Sequence, residues 1–207
     1  IIYQLKDVNF ADKKELLELV MQTNDIKVRQ SVAEFMDEIP LEFKAKYETF
    51  LDDKSYETRE IALIKLFNAF PESQAVYLEK AKNWYGNNDF GLRTTFLLLS
   101  QMTNVFDENQ KQNYFNELVD YTSSKYESSV RQNAFSATFQ AKQPIDDVVL
   151  KNLVNAISHH KWQMTKFARD YIRDLLKIPL YREKFENLLS DLPENDKNQL
   201  QKLLNEK

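Results

Sequence analysis

The sequence predicts an all-α chain, an α–α superhelix of the HEAT/armadillo-like solenoid type with about six antiparallel helix pairs. Three observations point there. An eight-residue pattern recurs, with a polar or acidic start, an apolar residue three on, then a basic residue, and a packing residue three later. The clearest copy is Glu127-Ser128-Ser129-Val130-Arg131-Gln132-Asn133-Ala134. The others start at Asp25, Ser55, Asp89 and Lys161, and place Arg29, Arg59, Arg93 and Thr165 where this copy has Arg131. Successive spacings of that position are 30, 34, 38 and 34 residues, inside the range of stacked helical repeats. Second, the 207 residues include only 2 glycines and 5 prolines, and every proline falls between periodic segments, as long helices require. Third, apolar residues recur at helical spacing from residue 16 to residue 204.

The elements follow in order. Residues 1–11 alternate loosely between apolar and polar, an extended lead-in from a preceding domain, and the solenoid occupies residues 12–207. Asp12-Lys13-Lys14-Glu15 has the spacing of a capping box, and Leu16, Leu19, Val20 and Thr23 then share one helical face. Asn24-Asp25 caps the next helix, which carries Val28, Val32, Phe35 and Met36. Pair two is marked by Phe43, Tyr47, Phe50 and Leu51, then Ile61 to Phe70, and Pro71 closes it. Pair three has Tyr77, Ala81, Trp84 and Tyr85, a Gly86 C-cap, an Asp89 N-cap, and Phe96 to Leu99, apolar nearly all round. Pairs four, five and six follow, divided by Pro144, Pro179 and Pro193, and a polar tail ends the array.

Composition excludes more than it assigns. Cysteine is absent, so there is no disulfide and no thiolate metal site. The net charge of −4 argues against nucleic-acid partners, including a HEAT-like DNA glycosylase, and no apolar run reaches the ~18 residues of a membrane span. The two histidines, His159 and His160, are adjacent and diverge by ~100° on a helix, whereas helical metal pairs stand four apart; no metal ligand is assigned. No serine elbow or glycine-rich phosphate loop occurs, and the carboxylate pairs Asp52-Asp53 and Asp146-Asp147 fall where capping explains them, so no catalytic residue is assigned. Trp84-Tyr85, Tyr114-Phe115 and Trp162 are expected mostly in the core.

Two residue sets stand out. Asp25, Arg29, Arg59, Asp89, Arg93 and Arg131 form a row through the stack, where the acid satisfies free amides and the arginine fork bridges to the adjacent unit. From residue 158 to 184 there are seven basic and three acidic residues, and Lys166, Arg169, Arg173 and Lys177 step by three and four into one basic stripe. The stripe reads either as a solvated face laced by Lys166–Asp170 and Asp174–Lys177 pairs or as a surface for an acidic partner or a peptide carboxylate.

The Asp-x-x-Val-Arg-x-x-Ala pattern resembles HEAT-type repeats, whose acidic and basic residues form an inter-repeat ladder. More specifically, Ile2-Tyr3-Gln4-Leu5-Lys6, Asn24 to Gln30, Val130 to Phe135 and His159-His160-Lys161-Trp162 resemble the C-terminal helical domain of the zinc-dependent alanyl-aminopeptidase (gluzincin) family, in its bacterial, flavobacterial-type branch. That resemblance implies a non-catalytic domain that packs on its own upstream catalytic domain and helps enclose a peptide substrate chamber. It places the zinc in the parent rather than in this stretch, and it suggests a cell-envelope or periplasmic setting. The family's His-Glu-x-x-His and Gly-x-Met-Glu-Asn motifs do not occur in these 207 residues. The competing expectation is a stand-alone scaffold or adaptor that binds a protein segment on its concave face.

Overall fold

The computed structural model describes residues 8–141 and 144–206, and among them the chain is all-α, with twelve α-helices, short 3-10 turns and no strand. The Ile2 to Lys6 stretch and most of the expected lead-in lie outside the described residues. Two compact units divide the chain between Val105 and Phe106.

The first unit contains α1 (Phe10–Met21), α2 (Ile26–Phe35), α3 (Lys44–Tyr47), α4 (Tyr56–Ala69), α5 (Gln74–Ala81) and α6 (Gly91–Gln101). Helix α1 corrects two expectations. It starts at Phe10, inside the expected lead-in, so Asp12 lies within the first turn and its amide bonds to Asn9 O at 3.2 Å rather than forming a capping box. Its packing face is consequently Phe10, Leu17 and Met21: Leu17 is fully buried and Phe10 meets Phe43 edge to face, while Leu16 and Leu19 are exposed. Helix α2 starts as its sequence dictates, with Asp25 accepting from the amides of Lys27 (2.9 Å) and Val28 (3.2 Å). The first helix of pair two is short and flanked by 3-10 turns at Leu41–Phe43 and Glu48–Asp52. It nevertheless buries Phe43, Tyr47, Phe50 and Leu51, and the Tyr47 hydroxyl donates to Ala33 O at 2.7 Å, satisfying a phenol that burial would otherwise penalise.

Ser55 caps α4 through the Thr58 amide. Helix α4 packs on α2 on one side and on α5 and α6 on the other, through Ala62, Leu63, Leu66 and Phe67. Pro71 opens the 3-10 turn that leads into α5, so it belongs to the start of pair three rather than to the end of pair two. Gly86 takes φ +89°, which a side chain rarely adopts, and a Cβ there would lie 3.1 Å from Leu92 N. Helix α6 is buried nearly all round, from Gly91 through Leu97 and at Leu99 and Ser100.

The second unit contains α7 (Glu108–Tyr121), α8 (Ser128–Ala141), α9 (Asp147–Ala156), α10 (Trp162–Leu176), α11 (Pro179–Leu188) and α12 (Glu194–Asn205). A true capping box starts α7: Asp107 accepts from the Gln110 amide at 2.8 Å, and Gln110 Oε1 accepts from the Asp107 amide at 3.1 Å. Asp146 caps α9 at Val148, and Pro179 occupies the first turn of α11. Helix α10 buries Met164, Ala168, Ile172 and Leu176, a stripe of strict four-residue spacing, into a core shared with α9, α11 and α12. Along the α8–α10 contact, Phe135, Phe139, Phe167 and Tyr171 form a run of aromatic contacts with centroids 4.7–6.2 Å apart.

Candidate functional site

The recurring position, arginine in four copies and threonine in the fifth, organises a joint in helix pairs one to five. In pairs one, two, four and five, the residue that closes the first helix donates its amide to the carbonyl three residues back: Thr23 to Val20, Asp53 to Phe50, Thr122 to Val119 and His159 to Ala156. Each then offers its own carbonyl to the basic position of the second helix. Arg29 Nη1 donates to Thr23 O at 2.7 Å, Arg59 Nε donates to Asp53 O, and Arg131 Nε donates to Thr122 O at 3.0 Å. In pair three Arg93 reaches Lys82 O at 2.6 Å. In pair five Thr165 replaces arginine, and its hydroxyl donates to His159 O at 2.9 Å. Helix C-terminal carbonyls lack intrahelical partners, and a cation there also meets the negative end of the helix dipole.

Three of these side chains also reach forward. Arg29 forks onto Asp53 of pair two (Nε–Oδ2 2.6 Å, Nη2–Oδ1 3.1 Å), and both side chains are largely buried. Burial pushes the Asp53 carboxyl up, but the Arg29 fork, the Ser55 amide and the charges of Arg29 and Arg59 outweigh it and hold the carboxyl below its ordinary value. Arg131 is 1% exposed and reaches Asn152 O (3.1 Å) and Asn155 Oδ1 (3.4 Å) of pair five, with no carboxylate on it, so burial works against its charge. Arg59 lies between the rings of Tyr56 and Trp84, the latter from pair three, with its guanidinium carbon 5.8 and 5.5 Å from the centroids. Arg93 lies over Tyr85 and Phe96. Of the acids at the pattern's start, Asp25 caps α2, Asp89 accepts from the Gly91 amide at 3.1 Å, and Glu127 pairs with Lys161 at 3.0 Å.

The basic stripe on α10 is held by neighbours. Lys166 pairs with Asp170 (2.5 Å) and Lys177 with Asp174 (2.6 Å). Arg169 reaches Gln199 at 2.8 Å, and Arg173 forks onto Glu206 at 2.7 and 3.2 Å, both on or just beyond α12. Arg173, Lys177 and Arg182 line a 330 Å³ cleft over Leu176 and Leu203, with Glu206 at its edge.

Several residues carry roles that capping and patterning did not reveal. Asp53 is a carboxylate partner between pairs as well as a turn acceptor for the Ser55 amide, and Asp52 pairs with Lys80 at 2.6 Å. Asn152 and Asn155 serve Arg131. Their common signal is a polar residue near the end of a first helix, in the repeat after an arginine. Of the aromatics expected in the core, Phe115 is buried, but Tyr85 and Trp162 are 52% and 68% exposed, Tyr85 because it lies in the loop beyond α5 and Trp162 because it opens α10. His159 and His160 stack on each other at 4.3 Å. His159 Nδ1 accepts from the Lys161 amide, and burial, His160 and Arg131 depress its basicity. Among the described residues no three His, Asp or Glu side chains are grouped to hold a metal ion. No protein family, no curated protein and no solved structure matches this chain.

Proposed function

We propose that this chain is the non-catalytic C-terminal α-solenoid domain of a larger zinc aminopeptidase, packing on the catalytic domain and helping to enclose its peptide substrate. The observation that carries the reading is the repeated joint: a carbonyl at or beyond the end of the first helix meets an arginine in four helix pairs and a threonine hydroxyl in a fifth. Side-chain bonds between neighbouring pairs within each unit join residues about one repeat apart, from 21 for Arg131 to Asn152 O to 39 for Lys184 to Ile145 O. That is the signature of units that each contact their neighbours, and it supports a stack whose recurring polar residues hold the array together rather than perform chemistry. The resemblance at Asn24 to Gln30, Val130 to Phe135 and His159 to Trp162 supplies the parent enzyme. In this reading Arg169 and Arg173 join pairs five and six, which leaves Lys166 and Lys177 as the solvent-facing charge of the stripe.

The purified chain tests the domain's part directly. Zinc content by plasma mass spectrometry and hydrolysis of an alanyl arylamide are both expected at background, while the parent enzyme binds one zinc and cleaves the substrate. Stoichiometric zinc or turnover by the chain alone would refute the reading. A second reading, a stand-alone scaffold that binds a protein segment, is favoured by the cleft under Arg173, Lys177 and Arg182, which pairs a cationic rim with an apolar floor.

A further inference from the structure

The first unit contains a guanidinium that its own fold leaves half used. Residues 53 and 84 each follow the first helix of their pair and donate an amide bond to the carbonyl three back, Asp53 to Phe50 at 3.1 Å and Trp84 to Ala81 at 2.9 Å, although in pair three the carbonyl that meets the arginine is that of Lys82. At the first place the chain supplies a carboxylate, and Arg29 forks onto it with all of its nitrogens engaged. At the second the chain supplies an indole. Arg59 therefore lies against Trp84 and Tyr56, spends only Nε on Asp53 O, and finds no protein acceptor for either Nη among the described residues. Neither Nη is among the buried side-chain atoms left without a partner, so neither is fully enclosed. Asp53, whose carbonyl takes the Nε bond, has its carboxylate already held by Arg29.

We infer that the open edge of Arg59 is a docking point for an acidic side chain of a partner polypeptide, whose flanking apolar atoms rest on Trp84 and the exposed ring of Tyr56. Tyr, Trp and Arg in contact are the composition of an interface hot spot, and a guanidinium fixed between two rings has little entropy left to lose when a planar carboxylate forks onto it. Glu57 and Glu60 flank Arg59 in sequence and disfavour a dianion such as phosphate, so the site suits a single negative charge. This inference does not depend on the parent enzyme.

The chain contains two tryptophans, and Trp162 is 68% exposed, so Trp162→Phe leaves Trp84 as the reporter at little cost. In that background, at constant ionic strength, the end-blocked peptide Ac-Ala-Glu-Ala-NH2 is titrated against Ac-Ala-Gln-Ala-NH2 and inorganic phosphate. The Glu peptide is expected to change Trp84 emission saturably, with a Kd on the order of millimolar as befits one forked contact. The Gln peptide should give no change and phosphate a weaker one. Arg59→Lys, which keeps a donor for Asp53 O but loses the fork, should weaken the Glu peptide about ten-fold with the melting temperature preserved. Tyr56→Ala, which leaves the Nε bond in place, should weaken it several-fold and serves as the second test if Arg59→Lys lowers the melting temperature. No saturable change with the Glu peptide, equal binding of the Gln peptide, tighter binding of phosphate, or a response unaltered by both substitutions would overturn the inference.

Discussion

Arg29 and Asp53 offer the sharpest energetic test of the joint between helix pairs. The fork closes at 2.6 and 3.1 Å, and the two side chains are only 12% and 5% exposed, so solvent screens the interaction weakly. Arg29→Ala leaves Asp53 buried with only the Ser55 amide as a donor, and stranding one partner of a buried pair costs about 3–5 kcal/mol. Asp53→Ala strands a guanidinium that still has Thr23 O, so its cost is smaller, about 2–3 kcal/mol. The double variant strands neither, and the cycle should return a coupling of about 2–3 kcal/mol. Trp84 emission in a Trp162→Phe background, followed through urea unfolding, reports on the unit that contains both residues. The pH dependence has a fixed sign. The Asp53 carboxyl is depressed in the folded chain, so its contribution is complete above the ordinary carboxylate value of about 4 and drains away as pH falls below it. A coupling below about 0.5 kcal/mol at pH 7, or one that survives unchanged at pH 3, would refute the clasp.

Three further outcomes follow from the same geometry. Thr165→Val removes the hydroxyl that stands in for arginine at pair five and should cost about 1 kcal/mol by chemical unfolding of the second unit, with His159 O left without its donor. Gly86→Ala should cost about 1–3 kcal/mol, because φ +89° is strained for alanine and the new Cβ meets Leu92 N at 3.1 Å; an unchanged melting temperature would contradict the assigned backbone. Burial, with Asp89 and Glu57 nearby, raises the Glu60 carboxyl despite the bond from Thr95 Oγ1 at 2.7 Å, so this group favours the folded chain as pH falls through its raised value. Glu60→Gln should therefore leave stability equal or higher at pH 7 and flatten the melting-temperature profile between pH 7 and 5.

Much of this architecture is legible in the primary structure because helical periodicity, punctuation and local capping are short-range physics. Asp25, Ser55 and Asp146 begin their helices as their side chains dictate, and Gly86 marks the one positive-φ glycine the turn before α6 requires. The misplaced face of α1 shows where such reasoning stops. Leu16 and Leu19 fit a helical stripe as well as Phe10, Leu17 and Met21 do, and only the packing of Phe43 and α2 selects between them. The pattern anticipates that the arginines bridge to the adjacent unit, but not what each one meets there. The pattern identifies Arg29, Arg59 and Arg131 as equivalent, yet their partners are a carboxylate, two aromatic rings and an asparagine with a carbonyl. Apart from Tyr56, which shares Arg59's helix, those partners sit in the next repeat, at or just past the end of a first helix whose length drifts from copy to copy. For the same reason the basic stripe of α10 has an unambiguous face in the sequence, while its hydrogen bond to Gln199 and its ion pair with Glu206 depend on a segment about thirty residues away.

The reading of this chain as a helical domain of a zinc aminopeptidase is tested most directly by sequencing the reading frame upstream of the codon for Ile1. A catalytic segment with His-Glu-x-x-His, a downstream glutamate ligand and Gly-x-Met-Glu-Asn is the predicted result. An upstream frame without that zinc motif would contradict the reading and leave the stand-alone scaffold in its place.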